Sequence, residues 1–195
     1  MVVASPARAR LLAALCVLLI ALLGVDLMGG DQASGRLATG DSVRLVKSRS
    51  DVSAGVVVGR VPDKQRHRAV RRAARMVDAW LDAAFVREDY PRTHYPKALG
   101  AFTPQARRAA RRSRNLLTNA DLGRRIDGVE VLTRRIRVDL LATDRRPRVA
   151  TAHLRLRLRT HGQRARTVIV RGRLFLEPTR HGWRIFGYDL RKGRR

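Results

Sequence analysis

The sequence predicts an α+β protein: an N-terminal transmembrane helix, then a curved antiparallel sheet of about four strands packed on the helices that precede it. Three observations carry this. An unbroken apolar run opens the chain; apolar residues then recur every three or four positions; and beyond Asp121-Leu122-Gly123 they recur every two. At 195 residues the chain has room for an anchor and one domain with a single core.

Arg8 and Arg10 precede the apolar run LLAALCVLLIALLGV. Its fifteen residues make a helix of roughly 22 Å, short of the roughly 30 Å hydrocarbon layer, and Leu27 and Met28 lengthen it beyond Asp26. The same length suits the core of a signal peptide, but GVDLMGGDQASG downstream offers no clean small-x-small cleavage site, so an uncleaved signal anchor is expected. Positive charge stays in the cytoplasm. Arg8, Arg10 and the amino terminus lie on one side, while Asp26, Asp31 and Asp41 dilute Arg36 and Arg44 on the other. The expected organisation is a cytoplasmic tail over 1–10, an anchor over 11–28, a Gly-, Ser- and Asp-rich linker over 29–61 and a basic extracytoplasmic domain over 62–195. The single cysteine, Cys16, lies inside the apolar run, so no disulfide within the chain ties the domain together. Its context, Ala13-Ala14-Leu15-Cys16, is not that of a lipoprotein.

Asp63 is expected to cap a helix over 64–86, with Val70, Ala73, Ala74, Val77, Trp80, Leu81 and Ala84 on one face and five arginines on the other. Pro91, Pro96 and Gly100 break the next segment into turns. Thr103-Pro104 has the form of a cap and first residue of a second helix reaching Leu117, whose Ala106, Ala109 and Ala110 imply close packing. Four alternating strands follow. Ile136, Val138 and Leu140 mark the first; Ala152, Leu154, Leu156 and Leu158 the second; Val168, Val170, Leu174 and Leu176 the third; 183–190 form the last.

Net charge is +26, from 42 Lys+Arg against 16 Asp+Glu, and only Lys47, Lys64, Lys97 and Lys192 are lysines. A GC-rich genome explains arginine in place of lysine. It does not explain the missing acids, which point to an anionic neighbour such as phospholipid headgroups, cell-wall polymer or nucleic acid. The sharpest form of this signal is on the strands. Arg155, Arg157 and Arg159 share one side of the second strand, and Arg171 and Arg173 leave the third on the side away from Val168 and Val170. In a hairpin around Gly162 these five become cross-strand neighbours, an unfavourable arrangement that either solvent screening or an anionic partner must offset. Arg107, Arg108, Arg111 and Arg112 form a second basic patch.

Catalytic signals are sparse. Asp78 and Asp82 share a helix face, Tyr90, His94 and Tyr95 lie in the broken segment, and Asp139 and Asp189 lie on strands. A site needs several such groups to converge, and paired acids on a helix more commonly balance nearby arginines. The other histidines, His67, His153, His161 and His181, lack metal-ligand spacing, and there is no phosphate-cradling glycine loop or nucleophile motif, so neither metal nor cofactor is expected.

The order of helices and strands, closed by Gly182-Trp183-Arg184-Ile185-Phe186-Gly187-Tyr188-Asp189-Leu190, resembles the cystatin-like cone of the nuclear transport factor 2-like superfamily. With the N-terminal anchor it is similar to the membrane proteins associated with actinobacterial mammalian-cell-entry (Mce) lipid-transfer systems. The resemblance covers roughly 62–192 and implies a non-enzymatic accessory or assembly subunit docked on an envelope complex, with a secretion-channel scaffold as a close variant. It also leaves open a ligand-binding or enzymatic cone using Asp82, Tyr95 or Asp139. A nucleic-acid binder has the weakest support, because it needs a cytoplasmic domain and more aromatics on the basic face. Nothing in the sequence indicates the oligomeric state.

Overall fold

The computed structural model describes residues 50–194; the expected tail and anchor, and most of the expected linker, lie outside them. No helix among the described residues is long and apolar enough to cross a membrane. The described part is α+β, with a mixed sheet of five strands in the order β1-β2-β3-β4-β5.

The additional strand, β1 (Asp51–Val58), falls where the linker was expected to run to residue 61. It pairs in parallel with β2 (Gly128–Thr143), and the helical segment between them supplies the crossover that parallel pairing requires. An edge strand exposed on most of both faces has no alternation to read, and its pairing rests on backbone hydrogen bonds.

Helix α1 (Asp63–Leu81) begins one residue earlier than expected. Pro62 occupies the cap position and its carbonyl accepts from the amides of Gln65 and Arg66. Asp63 therefore sits in the first turn, where its carboxylate suits the helix dipole and pairs with Arg66 at 3.1 Å. The apolar stripe is buried as its spacing required, with Ala73, Val77, Trp80 and Leu81 almost wholly removed from solvent. A π-helical turn, Asp82–Val86, ends the helix and buries Phe85 edge-on against Trp80.

After a short helix α2 (Pro96–Gly100), the expected single helix is two: α3 (Pro104–Arg112) and α4 (Arg114–Leu117). Thr103 caps α3 through its hydroxyl, which accepts from the Ala106 amide at 3.3 Å, and Pro104 opens it. Ser113, at φ −94° and ψ 22°, breaks the run, and Leu117 is fully buried beyond the break.

Strands β2, β3 (Arg146–His161), β4 (Arg166–Thr179) and β5 (Gly182–Arg194) form the expected antiparallel meander. Asp144 and Arg145, both at positive φ (54° and 60°), make the two-residue β2–β3 turn whose twist matches that of the strands. Helix α1 lies across β2, β3 and β5. Beneath it the even-numbered residues of β2 to β4, including Ile136, Val138, Leu154, Leu156, Leu158, Val168, Val170 and Leu174, fill the core. Odd-numbered residues of β3, β4 and the part of β2 beyond its bulge at 131–133 form the opposite, open face; before that bulge the order inverts, with Val129 buried and Glu130 outward.

Candidate functional site

On that open face β3 and β4 pair around the Gly162 turn so that Arg155 stands directly opposite Arg171. The register extends this pair into a row. Arg135 on β2 faces Arg155, and Arg191 on β5 faces Arg171, so Arg135, Arg155, Arg171 and Arg191 follow one another across four strands roughly 4.8 Å apart. The neighbouring row reads Ser53, Arg137, His153, Arg173 and Asp189. Arg157 and Arg159, opposite Ile169 and Thr167, continue the face toward the Gly162 turn.

Acids compensate these cations unevenly. Asp189 accepts from Arg173 at 2.6 Å, and that hydrogen bond, followed by the Arg173 charge, holds its carboxyl below the usual carboxylate range. Asp51 lies 3.7 Å from Arg135, Glu130 lies 3.4 Å from Arg159, and Asp139 lies 3.8 Å from Arg137. Arg155 and Arg171, at the centre of the sheet, and Arg191 have no carboxylate within ion-pair distance among the described residues. The face therefore keeps a cationic strip without ion-paired carboxylates, bounded on one side by the Arg137–Asp139 and Arg173–Asp189 pairs and extended on the other by Arg157.

Sequence reasoning found Arg155, Arg157, Arg159, Arg171 and Arg173 but missed Arg135, Arg137 and Arg191. Parity alone placed Arg135 and Arg137 outward, and only the register that aligns them with β3 and β4 was missing; Arg191 fell beyond the expected last strand, 183–190, which in fact runs to Arg194. Two phenylalanines complete the face. Phe175 and Phe186 sit with ring centroids 6.2 Å apart, Arg173 stands 5.8 Å from the Phe175 centroid, and Phe186 is 41% exposed.

The three residues considered for a cone site are not brought together. Asp139 belongs to the open face, where it binds His153 Nε2 at 2.7 Å and accepts from the Val56 amide at 3.0 Å. Gly55 makes room for this carboxylate, since a Cβ there would overlap Asp139 Oδ1. Tyr95 is buried at the chain segment before α2. Its ring packs 4.4 Å from the Arg92 guanidinium, which also lies over Tyr90, and burial pushes its phenol far above the ordinary range. Tyr90 is likewise structural, donating to the Phe85 carbonyl and accepting from Asn119. His94 Nδ1 meets the hydroxyl of its neighbour Thr93 at 2.9 Å.

Asp82 and Asp78 turn toward the core instead. Both clamp Arg134, a β2 residue only 5% exposed, at 2.6 and 2.8 Å, and Arg134 also donates to the Asp78 carbonyl at 2.5 Å. Arg134 shares the parity of Ile136 and Val138, so its inward direction was legible as an arginine on the apolar side of a strand. Its buried charge needs partners, and Asp78 on α1 and Asp82, one turn on in the π-helical end, supply them.

Among the described residues no group of three or more His, Cys, Asp or Glu is placed to hold a metal ion. Fold and site together define a small α+β protein with an arginine-bearing sheet face. The chain matches no protein-family model, no curated protein and no solved structure.

Proposed function

We propose that this chain is a membrane-anchored docking protein of the bacterial cell envelope, whose domain lies outside the cytoplasm and binds an anionic surface through the open face of its sheet. The observation that carries this reading is the row Arg135, Arg155, Arg171 and Arg191, with no carboxylate within ion-pair distance of its three members beyond Arg135 among the described residues. Like charges directly opposite each other weaken a sheet, so an anionic surface offsets a cost that the fold itself leaves uncompensated. The exposed Phe186, on the same face beyond the Arg173 row, gives such a surface an apolar contact as well.

Two further features favour docking over catalysis. Apolar side chains occupy the helix-covered face of the sheet, and the acids Asp78 and Asp82 are committed to Arg134. The role is then that of a non-enzymatic accessory or assembly subunit, and the resemblance to Mce-associated proteins makes a lipid-transfer complex the setting.

Reversing the charge of Arg155, Arg157 and Arg171 together tests the face. Each arginine near an anionic lipid surface contributes about 1 kcal/mol. The triple variant should therefore sediment with anionic vesicles about a hundredfold more weakly than the parent chain. Unchanged association would discard the face as a docking surface. Reporter fusions at the C-terminus test the compartment, and a cytoplasmic signal there would overturn the envelope assignment.

A further inference from the structure

The geometry points to a second, independent site: a phosphate-binding pocket of about 520 Å³ beside the β3–β4 turn, lined by Arg125, Arg164, Arg166 and Lys192 around a single carboxylate, Asp121. The pocket is built on Lys192. Its side chain is 9% exposed, and Nζ donates to the carbonyls of Asn115 and Thr118 at 2.9 and 2.7 Å and to Asp121 Oδ1 at 2.5 Å. All three ammonium protons are therefore committed, which fixes the segment after α4 against β5 and holds Asp121 in place. Burial draws the Lys192 pKa down, and the hydrogen bond to Asp121 opposes it.

Asp121 is shared. Its second oxygen lies 3.8 Å from Arg166, so one negative charge stands between two cations. Arg125 and Arg164 are exposed and are drawn together by the Arg164 amide, which donates to the Arg125 carbonyl at 3.0 Å. Neither has a carboxylate within ion-pair distance among the described residues, and Asp127 places its own against Gly162. Arg125 and Arg164 thus give the lining two cations with no ion-paired carboxylate among the described residues.

In a concave site that excess is focused rather than dispersed, and it calls for a compact oxyanion carrying more than one charge. Guanidinium forks match phosphate oxygens in pairs, whereas a monocarboxylate would leave one of the two guanidinium charges unanswered. The buried Leu122 and Val168 form apolar wall, so the ligand is a phosphate monoester with a small body, either a lipid headgroup or a soluble ester.

Titration calorimetry on the full chain in neutral detergent, with inorganic phosphate and glycerol phosphate as probes, tests the site. Binding should be saturable and should weaken about tenfold for each of Arg125→Gln and Arg164→Gln, both exposed and compatible with an unchanged circular dichroism spectrum. The sheet-face variant Arg155→Gln/Arg171→Gln should bind phosphate as the parent does. Absence of phosphate binding, or full binding by the Arg125→Gln/Arg164→Gln chain, would overturn the proposal. Competition on the sheet-face variant identifies the source. Displacement of glycerol phosphate by phosphatidic acid vesicles, and not by phosphatidylcholine vesicles, shows a headgroup site; displacement by inorganic phosphate alone shows a site for soluble esters.

Discussion

The two faces of the sheet use arginine in opposite ways. On the helix-covered face one arginine, Arg134, is buried and held by two carboxylates and a backbone carbonyl. On the open face Arg155, Arg171 and Arg191 stand in a row with no carboxylate within ion-pair distance among the described residues, the nearest influence being Asp189 on Arg191. A low-dielectric interior makes an unpaired charge prohibitive, so pairing inside is a condition of folding. Water removes that condition outside, and an unpaired row there is free to serve an external partner. The distribution of acids follows: α1 gives two to a single arginine, while the central strip of the sheet receives none.

The sharpest way to break this comparison is to remove the inner arginine. Arg134→Met leaves Asp78 and Asp82, part-exposed at 31% and 29%, without their shared partner and should lower unfolding stability by about 1–3 kcal/mol, measured by urea denaturation. Adding Asp78→Asn and Asp82→Asn should recover much of that loss, because a neutral, packed replacement of a buried ion cluster is often tolerated. If Arg134→Met alone is neutral, the arginine is solvated after all and the two faces do not differ in kind.

How far the sequence reveals this contrast depends on which interactions are periodic. The helix-then-strand order, the buried stripe of α1, the Thr103-Pro104 start of α3 and the inward residues of β3 and β4 follow from spacing. Strand β1 does not, because an edge strand exposed on both sides carries no alternation. The break at Ser113 does not either, since helical spacing runs straight through it. Within the site, five arginines were visible as outward residues. Their extension to Arg135 and Arg191 required the register of β2 and β5, which depends on bulges between Val131 and Thr133 and between Phe175 and Leu176. Asp139 shows the limit of choosing residues by type. Its parity placed it outward, where it holds His153 and the bulged edge at Val56 instead of entering a cone.

A smaller effect tests the outer face for stability rather than binding. Arg171 has Arg155 on one side and Arg191 on the other, so Arg171→Thr removes two like-charge contacts and introduces a residue that suits strands. The variant should be more stable by about 0.2–1 kcal/mol in low salt, with the gain shrinking as ionic strength rises. Its association with anionic vesicles should weaken at the same time. A variant that loses stability would mean that Arg171 already has a stabilising partner, and the strip would no longer count as uncompensated.

The finest distinction concerns where that strip ends. Arg173 belongs to the adjacent row and is assigned to the compensated flank only because Asp189 accepts from it at 2.6 Å. That hydrogen bond is the first cause, and the Arg173 charge the second, of the lowered Asp189 pKa. A carboxyl whose folded pKa lies below its unfolded value contributes stability above the unfolded pKa and loses it as pH falls through the folded one. Asp189 is fully exposed, so solvent screening keeps this contribution small, and the pKa itself is the better readout. An NMR pH titration should find Asp189 still ionised below the usual carboxylate range, and Arg173→Gln should return it to that range. If Asp189 titrates normally in the parent chain, Arg173 is not held by it, and the uncompensated strip widens by one arginine toward Phe175 and Phe186.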